Sequence, residues 1–307
     1  MRIDVHQHIW TTPLLDRLAV RDQWPFVRCD GGLTVLHCAG EQPYVIDVAA
    51  EAPARRAALA GADGLDLAVI AISSPIGIEA LARDDAGELI AAHLDGVRSL
   101  GPRFAAWGPL ALDGADPNDV DRLLARGCAG ISVPAGALAG PARLASIGCV
   151  LARVAERRVP LFVHPGPAHG DRPAAATLGD PLWWQALTDY VAQMHAAWLT
   201  FMSWGRREHP TLRVVFAMLA GGAPLQSERL ATRGGPRIDL RDPAIFYDTS
   251  SYGPVAIELL IGCVGERQLL LGSDRPVVDP VRTGYEAMLA SNAARLFGET
   301  ICPGMAA

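Results

Sequence analysis

Short apolar runs separated by longer, helix-patterned stretches recur along the 307-residue chain. Runs at 2–7, 67–73, 103–109, 129–134, 160–164, 212–217, 245–249 and 268–273 read as strands. One repeat is legible in detail. "RFAAWGPLAL" (103–112) is strand-like, and "DPNDVDRLLARG" follows it. In that stretch Asp116 suits an N-cap, Pro117 the first helical position and Gly127 the position just past the end. "AGISVPAG" (129–136) is the next strand. Strand, helix and strand within about 30 residues is the parallel crossover unit.

Eight such units predict an α/β chain folded as a (β/α)8 TIM barrel, one domain over residues 1–307. The competing arrangement is a doubly wound open sheet. That fold wants a glycine-rich phosphate loop after the first strand, and "HQHIWTTP" is not one. One segment departs from the alternation. Residues 26–48, "FVRCDGGLTVLHCAGEQPYVIDV", have period-2 stretches around "GG" and "GEQP" and predict a small β-hairpin inserted after the first strand. Residues 49–66 are alanine-rich and helix-like. Asp279-Pro280 repeats the Asp-Pro helix start, and "SNAARLFG" (291–298) predicts a closing capped helix.

Composition narrows the function classes. The length suits one large or two ordinary domains, and half of the residues are apolar, enough for a sizeable core. The formal charge of −6 argues against nucleic acid and anionic membranes as partners. No apolar run reaches bilayer length. Asp4 and His6 interrupt the place where the apolar core of a leader would lie. Cysteines at 29, 38, 128, 149, 263 and 302 form no CxxC pair and read as free thiols of a cytoplasmic protein. A small-molecule substrate is the partner expected, with a homodimer left open.

Chemistry concentrates at strand ends. In a strand, residues i and i+2 share a face, so His6 and His8 project together from the end of the first strand. Barrel active sites sit at the C-terminal ends of the strands. "LFVHPG" puts His164 at the end of the fifth strand, and "LLLGSDRP" puts Asp274 at the end of the eighth. Three imidazoles and a carboxylate converging on the barrel mouth suit a divalent metal with a position left open for water or substrate. Zinc is expected, with manganese or another divalent ion as the alternative.

The strings "IDVHQHIW", "LFVHPG", "LLLGSDRP" and "NAARLFG" resemble the amidohydrolase-related (amidohydrolase 2) family, the branch that contains aminocarboxymuconate-semialdehyde decarboxylase. The resemblance runs from residue 2 to about 298. "HQHIW" with "GSDRPV" also resembles the sugar-lactonase branch, whereas "LFVHPG" resembles the decarboxylase branch. It implies His6, His8, His164 and Asp274 as metal ligands. One departure stands out. Family members commonly carry a histidine after the sixth strand, in a string like F-A-H-G-G-G, and this chain reads "VVFAMLAGGAP" with Met218 in that place. A thioether carries no proton, so Met218 reads as an apolar pocket wall. His195 and His209, the nearest histidines in sequence, read as structural. His169, in the loop after the fifth strand, lies at the correct face for acid–base work.

Other residues complete the expected site. Arg275 could meet a substrate carboxylate with its forked donors, against a rim salt bridge as the alternative. Trp183 and Trp184 could wall the pocket, against core packing. His37 in the inserted hairpin reads as solvent-facing, with folding over the mouth as the alternative. Cys38 beside it has no fixed base to make it a nucleophile. The expected activity is metal-dependent hydrolysis of an amide, imine or lactone, with metal-bound water as nucleophile, Asp274 as proton carrier and His164 in the catalytic set. This route needs no imidazole at 218. The alternatives are a non-oxidative decarboxylase of an aromatic or unsaturated acid, and a barrel altered in catalysis by Met218.

Overall fold

The computed structural model describes residues 1–172 and 180–298. Among them, eight strands form one all-parallel sheet: β1 (Ile3–Gln7), β5 (Leu67–Ile70), β6 (Phe104–Pro109), β7 (Gly130–Pro134), β8 (Leu161–His164), β9 (Val214–Phe216), β10 (Ile245–Asp248) and β11 (Leu269–Leu270), hydrogen-bonded in that order. The sequences "LAVI", "LFVH", "VVF" and "IFYD" are buried along their whole length. Such runs fit strands covered on both faces, by barrel interior and by outer helices. The first and last strands meet. Val5 N–H donates to Leu271 O at 2.9 Å, Asp274 N–H to His6 O at 2.8 Å and His8 N–H to Arg275 O at 2.6 Å. The sheet therefore closes on itself as the expected (β/α)8 barrel.

The crossover helix Pro117–Ala125 forms as its sequence predicts. Asp116 accepts from Asn118 N–H at 2.7 Å, and Asp119 returns the bond by accepting from Asp116 N–H at 2.9 Å. That capping box satisfies two amides that would otherwise lack helical partners, worth about 0.5–2 kcal/mol. Gly127 sits at φ +86°, the left-handed stop a glycine adopts freely. At the far end, Asp279-Pro280 does not begin a helix. The last helix is Glu286–Phe297, because Glu286 itself takes the amides of Thr283 (2.5 Å) and Gly284 (3.2 Å). The alanine-rich stretch holds the helix Pro53–Ala62.

Inside the barrel, the Trp107 ring stacks on Phe162 with centroids 5.1 Å apart, and its Nε1–H donates to Val5 O at 2.8 Å. Phe162 in turn meets His6 edge-on at 5.1 Å. The aromatic pair thus forms an apolar bed under the imidazole. The insertion is larger than a hairpin. It is a three-stranded antiparallel sheet of β2 (Phe26–Asp30), β3 (Leu33–His37) and β4 (Tyr44–Ile46). The "GEQP" turn does not end the sheet but returns the chain for a third strand. Cys29, Cys38, Cys128, Cys149 and Cys263 are unpaired. Cys302 lies outside the described residues. No helix among the described residues is long and apolar enough to cross a membrane.

Candidate metal centre

β1 and β8 bring His6, His8 and His164 to one point at the C-terminal end of the barrel. All three are buried, and one nitrogen of each lies within 4.8 Å of the others. The other ring nitrogen of each is committed elsewhere. Nδ1 of His6 faces Asp248 Oδ2, Nδ1 of His8 faces Ala71 O, and Nδ1 of His164 faces Pro165 O, each at 2.9 Å. Carbonyls only accept, so Nδ1–H of His8 and His164 is the donor, and Nε2 of each is left with its lone pair toward the centre. The carboxylate fixes His6 in the same way. His6 Nε2 and His8 Nε2 stand 3.1 Å apart. At that distance either a proton on His6 bridges the two nitrogens or a cation lies against both lone pairs, and a divalent metal meets the second condition.

Asp274 completes the cluster. Its Oδ1 lies 3.1 Å from His8 Nε2 and 3.6 Å from His6 Nε2. The residue is held at φ +58°, a left-handed conformation uncommon outside glycine, fixed by its N–H bond to His6 O. The electrostatics favour positive charge here. Burial works against a charged His6, but the carboxylates of Asp248, Asp274 and Asp4 outweigh it and hold His6 up to about 9. His164 goes the opposite way, pushed well below its ordinary value by burial and by the neighbouring His6 and His8. Burial works to raise Asp274, but the hydrogen bond with His8 and the electrostatic pull of the two imidazoles win and hold the carboxyl below its usual range.

Three supporting residues escaped the reading of the sequence. Asp248, fully buried at the tip of β10, orients His6 and accepts from Ser250 Oγ at 2.5 Å. The signal was present as a lone polar residue closing the run "IFYD". Gly272 of the "GSD" string makes room for it, since a Cβ there would meet Asp248 Oδ1 at 2.8 Å. Arg56, from the helix Pro53–Ala62, donates to Gln7 Oε1 at 2.9 Å and to His8 O at 2.8 Å, and pairs with Glu51 at 3.2 Å. It clamps the end of β1 from behind. No spacing in the sequence pointed to it.

A chamber of about 210 Å³ opens on this cluster. Besides the four groups at its base, its walls include Pro165, Leu187, Tyr190, Met218, Tyr252 and Val277. Met218 stands where the sequence placed it. It opens five consecutive residues in the left-handed region, Met218 to Gly222 with φ between 45° and 81°. Three of the five are not glycine, a conformation costing roughly 1–2 kcal/mol for each of them. The turn sends Met218 N–H to Asp248 Oδ1 at 3.2 Å while its side chain meets the chamber.

The remaining expected residues lie elsewhere. Trp183 and Trp184 are 56% and 45% exposed and stand outside the chamber lining, whereas Leu187 from the same short helix, Trp184–Leu187, lines it. Arg275 points away, its Nε 3.2 Å from Asp63 Oδ2. His169 is exposed and bonded through Nδ1 to Ala80 O at 2.8 Å. His37 stacks on Phe26 with centroids 4.9 Å apart. His195 Nε2 is bonded to Gly221 O at 2.8 Å, behind the turn that carries Met218.

No protein-family model matches the sequence, and no curated protein matches it. Solved structures do. IDCase of Metarhizium anisopliae is 18% identical, with 98% of this chain and 92% of that chain covered and a TM-score of 0.74. The chain carries the same barrel fold as these solved structures. A 5-carboxyvanillate decarboxylase from Sphingomonas paucimobilis is 18% identical over 96% of this chain and 98% of that one, with a TM-score of 0.65. A second, from Novosphingobium aromaticivorans with bound manganese, is 16% identical over 97% of each chain, with a TM-score of 0.65. At such identities the likeness is one of fold. These neighbours overturn the expectation of a C–N or C–O hydrolase, because their named activity is decarboxylation. The hydrolase reading leaned on the missing imidazole at 218, and that absence does not select water as the nucleophile.

Proposed function

We propose that the protein is a metal-dependent, non-oxidative decarboxylase of an aromatic or unsaturated carboxylic acid. The observation that carries this reading is the division of the chamber into a cation-favouring base of His6, His8, His164 and Asp274 and a largely apolar wall of Pro165, Leu187, Met218 and Val277. That division suits a flat unsaturated body with one anionic group. The three-nitrogen set suits zinc, and Asp274 adds the oxygen donor that manganese prefers. A divalent cation bound here supplies Lewis acidity and a positive charge against the substrate carboxylate.

The chain's own residues account for the rest. Loss of CO2 breaks one C–C bond and leaves its electron pair on carbon, which then needs a proton. Asp274 is held toward its ionised form, so it takes a proton from solvent first and delivers that proton to the carbon from which CO2 has left. Asp248 and the Ala71 and Pro165 carbonyls hold the three imidazoles in one tautomer throughout. The apolar wall keeps bulk water from the reacting carbon.

The test loads the protein with zinc or manganese and screens benzoates and short unsaturated acids for CO2 release. Asp274→Asn should lower turnover by about 10²–10⁴-fold with the fold intact. No CO2 from any acid with metal-replete protein would count against the proposal. It would favour a second reading, prompted by Met218 in place of an imidazole, in which the barrel binds such acids without turning them over.

A further inference from the structure

We propose that Glu41 and Tyr190 form a specificity site beside the metal chamber, which takes a neutral hydrogen-bond-donating group, such as a hydroxyl, at the end of the substrate far from its carboxylate. The carboxylate end rests on the decarboxylase reading. The far end rests on a second cavity. This annex, of about 250 Å³, has Glu41, Gly136, Arg143, Asp171, Tyr190 and Gln193 in its lining. It shares two residues, Pro75 and Tyr190, with the metal chamber. Each cavity alone is smaller than the ~300–1,000 Å³ of ordinary ligand pockets, and Pro75 and Tyr190 are the residues at which a longer ligand would pass from one to the other.

The chemistry of the annex selects the ligand. Glu41 reaches it from the inserted sheet, in the turn between β3 and β4. That turn is fixed in place, because Gln185 of the helix Trp184–Leu187 donates to Gly40 O. The Tyr190 hydroxyl and the Glu41 carboxylate stand together in this lining and interact. Burial pushes Glu41 up to about 7, against the pull of the Tyr190 bond, with Asp189 adding to the rise. The carbonyl-type oxygen of Glu41 accepts in either protonation state, so a hydrogen-bond donor suits it as a second partner. The guanidinium of Arg143 is already matched to both oxygens of Asp171, at 3.0 and 2.5 Å, which leaves Arg172 as the cation of this lining that a second carboxylate would have to use, beside the carboxylates of Asp171 and Glu41. Gln193 Oε1 accepts from Gly166 N–H at 2.7 Å, which orients its amide at the same wall.

The experiment measures binding of 3- and 4-hydroxybenzoate, 4-methoxybenzoate, terephthalate, phenol and anisole to metal-loaded protein by calorimetry and ligand-observed NMR. Wild type should prefer a hydroxybenzoate over 4-methoxybenzoate by about tenfold or more, the usual size of a hydrogen bond to an ionisable group. Glu41→Leu should erase that preference, and Tyr190→Phe should reduce it, with melting temperature and metal content unchanged. A wild type without the preference overturns the proposal, as does a preference that survives Glu41→Leu or terephthalate as the tightest ligand. Phenol against anisole separates the two readings. If the acids bind no better than phenol yet phenol still beats anisole in a Glu41-dependent way, the decarboxylase reading fails and the specificity site stands.

Discussion

Two strand ends feed the same chamber and have opposite chemistry. The tip of β1 presents His6 and His8, each with its outer nitrogen held by a buried acceptor and its inner nitrogen turned to a common point. The tip of β9 presents Met218, an apolar side chain on a turn of five left-handed residues. The resemblance read from the sequence leads one to expect an imidazole at both. The molecule keeps the whole apparatus that orients ligands, down to Asp248 and the space left by Gly272, and has a thioether where a proton carrier would stand. Asp248 also ties the two ends together, since it holds His6 through Oδ2 and the Met218 amide through Oδ1. The two strand ends thus divide the chamber into a nitrogen-rich side and an apolar side that share one buried carboxylate.

The comparison breaks most sharply if the β1 end is dismantled. His6→Ala or His164→Ala should drop metal content from about one ion per chain to near zero, measured by elemental analysis after dialysis against trace chelator. Asp248→Asn should weaken the metal more gently, by about 10–100-fold, because it alters only the group that orients His6. A metal content unchanged in His6→Ala would show that the cluster is not the site.

Much of this was legible before any coordinates. The eight strands fall where the apolar runs lie, because a parallel barrel strand is buried on both faces and carries its own signal. His6, His8, His164 and Asp274 were legible because each closes such a run. What failed depended on neighbours far along the chain. Arg275 looks like a substrate clamp until Asp63 is seen to hold it, and the pair Trp183–Trp184 looks like a pocket wall until the short helix is seen to turn Leu187 inward instead. Arg56, Glu41 and Tyr190 carry no local signal, since helices and loops acquire their partners only when the barrel closes.

The β9 end sharpens the comparison by a smaller step. Met218→Leu keeps apolarity and nearly the volume, so it should cost less than about 1.5 kcal/mol of stability and leave metal content and turnover largely unchanged. Met218→His places an imidazole on the same turn, beside Asp248. If the chamber is built for decarboxylation, CO2 release should rise and its pH profile should gain a limb from the new imidazole. A large loss of metal in the Leu variant would mean that the β9 end takes part in ligation, and the division of labour between the two ends would fall.

The smallest effect separates a partnered imidazole from an unpartnered one. His93, in the helix Arg83–Arg98, is as buried as His8, but neither of its ring nitrogens has a hydrogen-bond partner. Burial, helped by the neighbouring His8, pushes it down to about 3. Its folded value therefore lies below the ordinary value of 6.5. The unfolded chain takes up the proton first as pH falls, so this contribution to stability is complete above about pH 6.5 and drains away toward pH 3, by at most ~1.4 kcal/mol per pH unit. Urea unfolding of wild type and His93→Leu at pH 7.5, 6 and 5 isolates this one group from the others that titrate. The Leu variant should lose less stability than wild type over that range. Equal losses would mean that His93 is already charged or solvated in the folded protein, and that burial alone is not what distinguishes it from the histidines at the tip of β1.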